Sequence, residues 1–144
     1  MTLPINNESY DYKFQKTLNQ DVELKSNEYG RWDLNMENGD YVNTTGLPTL
    51  KNACIIAILT RYGELMENPT YHEFGCHVHR IIKDNKTKMN LFKIENYITQ
   101  TLNNIRRVKT VNELKIIENE HDTYNVYFTI TSHNDETIKG NVNI

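Results

Sequence analysis

Apolar and polar residues alternate over several stretches of this chain, and those stretches predict its strands. Trp32, Leu34 and Met36 alternate with Arg31, Asp33 and Asn35, the period of two expected of a strand with one apolar face. Asn38-Gly39 follows between Glu37 and Asp40, and then Tyr41-Val42. Asn-Gly supplies the two positive-φ positions of a type I′ turn, so this stretch predicts a β-hairpin. After Thr44-Thr45-Gly46-Leu47-Pro48 the period changes. Pro48 is tolerated in a first helical turn, where its missing N–H has no partner in any case. From Thr49 to about Tyr62, Leu50, Ala53, Cys54, Ala57 and Ile58 line one side of a helix, and Ile55, Ile56 and Leu59 make much of the rest apolar. A helix apolar nearly all round is a central, buried one. Arg61 suits its negative C-terminal end and Gly63 its left-handed stop.

Glu67-Asn68-Pro69 and Phe74-Gly75 mark an irregular link, and Cys76 to Lys83 fits a short helix. Leu91, Ile94, Ile98 and Leu102 form the stripe of a further helix from about Lys88 to Asn104. The last third returns to a period of two. Val108 to Glu118 predicts a strand, Asn119 to Asp122 a turn, and Tyr124, Val126, Phe128 and Ile130 one face of a second strand. After a turn at Ser132 to Glu136, Ile138, Gly140, Val142 and Ile144 alternate with Thr137, Lys139, Asn141 and Asn143. The order is an N-terminal β-hairpin, two to three helices and a C-terminal antiparallel β-meander, an α+β fold.

Residues 1–30 carry Leu3, Ile5, Tyr10, Tyr12, Phe14, Leu18, Val22 and Leu24 with a period of neither 2 nor 3.6. They read as an N-terminal arm or lead-in to a domain over residues 31–144, ordered mainly through neighbours.

The 144 residues suit one domain. Sixteen basic against nineteen acidic residues give a net charge of −3 without a basic block, which argues against a duplex nucleic-acid binder. The longest apolar run, Ala53 to Leu59, is far shorter than the ~20 residues of a membrane helix. The start of the chain shows neither the basic nor the apolar part of a secretory signal. Two cysteines, Cys54 and Cys76, do not make a disulfide framework, and reduced thiols in a cytosolic assembly compartment are expected. Twenty asparagines are spread through the chain, unlike the tract of a prion-like segment.

Three constellations bear on chemistry. His72, Cys76 and His79 have a spacing that a helix could bring to one face, and imidazole with thiolate suits zinc. A structural zinc site needs four ligands, however, and no second Cys/His pair has a recognised spacing, so no metal or other cofactor is expected. Glu64, after Arg61-Tyr62-Gly63, is the candidate acid of a glycosidase. Glycoside hydrolysis needs two carboxyls ~5–9.5 Å apart across a cleft, and the sequence identifies no second one. Arg106-Arg107 follows the last helix, where arginine answers the helix dipole or grips a partner's carboxylate.

The run Asn38-Gly39-Asp40-Tyr41-Val42, then Gly46-Leu47, the apolar helix, Leu59-Thr60-Arg61-Tyr62-Gly63-Glu64, Pro69 and Phe74-Gly75 resembles the sheath-initiator family of phage baseplate wedges, often labelled lysozyme-like. The resemblance covers about Trp32 to Ile144. At the family's Glu-Pro-Arg tripeptide this chain has Ile105-Arg106-Arg107, so the arginine is kept as Arg107 (Arg106 on a one-residue shift) while Glu and Pro are lost.

The resemblance implies a structural protein of the virion tail baseplate, assembled in the host cytoplasm and without enzymatic activity. Six copies would surround the tube and start polymerisation of the contractile sheath. Its implied partners are the tail sheath protein, baseplate wedge proteins, and tube or hub proteins, with no nucleic acid and no membrane. Arg106 and Arg107 are its candidate partner-binding residues. Ile138, Val142 and Ile144 join them, because a short alternating strand with only Lys139 as guard invites strand addition. Rival classes are a baseplate lysozyme-type glycosidase and an intracellular adaptor of similar fold.

Overall fold

The computed structural model describes residues 20–120, 123–133 and 135–144, and among these, six strands of two or three residues precede the first described helix. They are β1 (Gln20–Val22), β2 (Leu24–Ser26), β3 (Trp32–Leu34), β4 (Met36–Glu37), β5 (Asp40–Tyr41) and β6 (Asn43–Thr45). Strands this short cannot hold a sheet by themselves, and they pair antiparallel as β1 with β6, β2 with β3 and β4 with β5.

The three ladders meet at Glu23, Asn35 and Val42, whose main chains close a ring of hydrogen bonds. Glu23 N–H donates to the Val42 carbonyl (2.7 Å), Asn35 N–H to that of Glu23 (2.8 Å) and Val42 N–H to that of Asn35 (3.0 Å). Asn35, buried at 8% exposure, locks the junction by donating its side-chain amide to Glu23 Oε2 at 2.6 Å. Three arms therefore radiate from one triangular junction.

The expected turn at Asn38-Gly39 is present, with φ of 51° and 81°. The apolar face expected of Trp32, Leu34 and Met36 is not buried as a unit. Trp32 packs on the core, while Leu34, Met36 and Tyr41 are 47%, 55% and 50% exposed. Met36 and Tyr41 lie on the β4–β5 ladder, which pairs with no other strand among the described residues.

The lead-in expected over residues 1–30 divides. Residues 1–19 lie outside the described residues, and residues 20–26 pair with residues 32–34 and 43–45 inside the body. A three-residue strand is too short to display a period, so alternation could not reveal it.

Helix α1 (Leu47–Leu59) carries Pro48 in its first turn and buries Leu50, Cys54, Ile55, Ala57 and Ile58. It stops four residues before Gly63, at an extended Thr60 whose hydroxyl donates to the Ile56 carbonyl at 2.7 Å. Arg61 and Gly63 thus belong to the following loop and do not cap the helix. A 3₁₀ turn (His77–Arg80) stands where the short helix was expected. Helix α2 (Lys88–Asn103) is capped by Thr87, whose hydroxyl accepts the Asn90 N–H at 3.1 Å, and buries Ile94, Ile98 and Leu102. No helix among the described residues is long and apolar enough to cross a membrane.

Strands β7 (Val108–Glu118), β8 (Tyr124–Ser132) and β9 (Thr137–Asn143) form the expected meander, in the order β7-β8-β9. Tyr124, Val126, Phe128, Ile130, Ile138 and Val142 face inward and meet Leu50, Cys54, Ile55 and Ile58 of α1 and Ile94, Ile98 and Leu102 of α2 in one core. The architecture is α+β, as the hydrophobic pattern predicts.

Candidate partner-binding surface

Two parts of the family-like run, Thr60-Arg61-Tyr62-Gly63-Glu64 and Phe74-Gly75, come together in space. Past α1, the Cys76 N–H donates to the Thr60 carbonyl at 2.8 Å and the Tyr62 N–H to the Cys76 carbonyl at 3.1 Å, a parallel bridge between Arg61 and Cys76. Gly75 makes this approach possible: its φ is +115°, and a Cβ there would stand 2.6 Å from the Arg61 oxygen. The Phe74-Gly75 pair is therefore architectural, since it pins the loop from residues 60 to 76 onto the end of α1.

Glu64 belongs to the same clasp. Its carboxylate accepts the Arg61 N–H at 3.2 Å. Glu64 and Glu67 both line a shallow cup of about 390 Å³, but its whole wall is the single run Gly63 to Asn68. A substrate cleft presents chemistry from opposing walls, and this cup has one.

The structure disperses His72, Cys76 and His79. His72 is exposed, with Nδ1 3.3 Å from the Pro69 carbonyl. Cys76 is buried beside Thr101, and desolvation there pushes its thiol pKa up. His79 places Nε2 2.9 Å from the Ile58 carbonyl. Cys54, inside α1, is desolvated further, and its thiol is pushed up to about 12. Both thiols serve as packing groups in the core. His77, which the sequence does not single out, stacks on Tyr62 with ring centres 3.9 Å apart and leans on Tyr97 at 5.6 Å.

Arg106 is exposed and Arg107 half-buried between α2 and β7, and Arg107 is already engaged within the chain. The strand-edge expectation needs a correction at the level of residues. Ile138 and Val142 are 7% and 2% exposed, and Ile144 is half-buried, so the first two side chains fill the core and cannot meet a partner. Their main chains face β8 as well. Tyr124 and Ile144 exchange hydrogen bonds of 2.8 and 2.9 Å, and Ser132 N–H donates to the Glu136 carbonyl, which sets the phase of the whole ladder. The groups on the outer side of β9 consequently belong to Thr137, Lys139, Asn141 and Asn143.

No fourth strand covers that side among the described residues. On that side the Asn141 carbonyl accepts the Trp32 indole N–H at 3.1 Å. Alternation in the sequence identifies the edge strand correctly and assigns its two faces correctly. The inward residues are the apolar ones, however, and the docking groups of an edge are those of the polar residues between them.

At this point the chain can be set beside known proteins. No family model and no curated protein matches it. A solved structure from Geobacter sulfurreducens, described as a "putative tail lysozyme", shares the fold with a TM-score of 0.55. Identity is 15% over 66% of this chain and 86% of the other. The α+β body described above is thus a fold also found in a protein bearing a tail-related description.

Proposed function

We propose that this chain is a structural component of a contractile-tail baseplate, on which the sheath begins to polymerise. The observation that carries the reading is the shared fold with the tail-described protein, which spans most of that protein. The order of the short motifs from Asn38 to Gly75 supports it, and so does the clasp of main-chain hydrogen bonds that the later ones, from Thr60 to Gly75, make here.

The docking element in this reading is the outer side of β9. An extended segment of a sheath subunit pairs with the main chains of Lys139, Asn141 and Asn143, and each bond adds about 0.5–1.5 kcal/mol net. Six copies around the tube multiply that contact. Arg106 and Arg107 lie at the other end of the sheet strand order, beside β7, and face the wedge proteins.

The chain has no hydrolytic role in this reading. Glu64 works as an acceptor within its loop, and its cup lacks an opposing wall. The test is to locate the chain in purified contractile particles by gold-labelled antibody. Label in a ring at the baseplate end of the sheath is the expected result, and particles devoid of the chain would refute the proposal. Peptidoglycan turnover that vanishes in Glu64→Gln would establish the glycosidase reading instead.

A further inference from the structure

We propose that Trp32 is a latch on the outer edge of β9, which an incoming strand of a partner protein must displace in order to pair. The inference rests on reading that edge as the docking surface.

The outward main-chain groups of β9 form one row, from Thr137 through Lys139 and Asn141 to Asn143. The indole N–H of Trp32 occupies the Asn141 carbonyl in that row at 3.1 Å. From the helix side, Lys51 Nζ lies 5.8 Å from the centre of the Trp32 ring and holds it by cation–π attraction. Strand addition needs the Asn141 carbonyl as an acceptor, so a strand and the indole cannot be there together.

Trp32 belongs to the β2–β3 arm, a two-stranded ladder whose loop is tied to itself. Its loop is braced internally: Asn27 Oδ1 accepts the N–H groups of Tyr29 and Arg31, both at 3.0 Å, and Asn27 N–H donates to the Arg31 carbonyl at 2.8 Å. Gly30 at the loop lies against the Asn143 side chain, where an added Cβ would stand 3.6 Å from Nδ2. The other end of the arm is fixed at the Glu23–Asn35 corner of the junction. The arm therefore covers the Asn141–Asn143 end of β9, and among the described residues no strand pairs with the outer side at Lys139.

The occupant is an extended strand of another protein molecule. It pairs first at Lys139 and advances toward Asn143, beyond which a groove of about 560 Å³ continues between Tyr29, Arg31, Glu120, Thr123 and Asn143. Arg31 and Glu120 offer both signs of charge to its side chains. A latch also answers the hazard of an exposed edge, which otherwise pairs with any strand it meets, including a second copy of this chain.

The experiment uses the full chain, with its own second copy as the probe strand and no sheath present. Trp32→Phe keeps a ring on the core and removes the donor. Because the chain has one tryptophan, biosynthetic replacement of the indole by benzothiophene removes only the N–H and decides the matter if Trp32→Phe fails to fold. Sedimentation equilibrium should show either chain associating about three- to tenfold more tightly than the parent, the range one net hydrogen bond supports. Adding Lys139→Pro, which takes a donor from the outer side of β9, should cancel that gain. An association constant equal to the parent's in the folded benzothiophene chain overturns the latch, as does a gain that survives Lys139→Pro. Because no tail component takes part, the result stands apart from whether the chain is found in particles.

Discussion

His77 shows how a single side chain can couple this fold to pH. Partial burial between Tyr62 and Tyr97, and secondarily the positive charge of Arg80, hold its pKa below the ordinary 6.5. The unfolded chain therefore takes up that proton first. The stability contributed by His77 is complete above 6.5 and is lost as pH falls from there toward the lowered folded value. Replacing the titrating ring by one that still stacks, His77→Phe, should shrink the drop in melting temperature between about pH 7.5 and about pH 5.5 relative to the parent. An equal drop in both proteins would show that carboxylates alone set the acid limb. The sequence gives no sign of this stack, because it joins the loop before the 3₁₀ turn to a helix 20 residues further on.

At the scale of elements, the three long strands and both helices were legible because each is long enough to repeat its period several times. β8 and α2 follow from the spacing of Val126, Phe128, Ile130, Ile94 and Ile98 alone. Of the first six strands, those around Trp32–Met36 and the Asn-Gly turn were legible, whereas β1, β2 and β6 were not, since their stability lies in a junction between segments distant in sequence. Glu23, Asn35 and Val42 carry nothing in their spacing that announces a ring of hydrogen bonds.

Gly140 is a further case in which an element depends on what is missing. It stands opposite Phe128 in the β8–β9 ladder, and a methyl group there would collide with the Phe128 ring. Gly140→Ala should cost about 1–3 kcal/mol in a denaturant melt, the usual penalty of overpacking, and Phe128→Leu in the same chain should recover part of it. A neutral Gly140→Ala would mean that the β8–β9 pair is looser than its register implies.

For the molecule as a whole, the candidate site was half legible. Alternation located an edge strand at β9, and the chain does place an outward row of main-chain groups there. It also pointed to Ile138 and Val142, whose side chains lie in the core, and it did not show the bond from the Trp32 indole to the Asn141 carbonyl. That contact joins residues 109 positions apart, so no local pattern reveals it.

The central claim is that a sheath strand pairs with the outer side of β9. It is tested most directly with Lys139→Pro, which leaves the bonds to β8 in place because the Lys139 N–H points away from them. Particles assembled with this variant should be counted by electron microscopy alongside a melting curve of the isolated chain. The account predicts a folded protein, complete baseplates and tubes bare of sheath. Sheathed tails of normal length from a folded Lys139→Pro chain would contradict it.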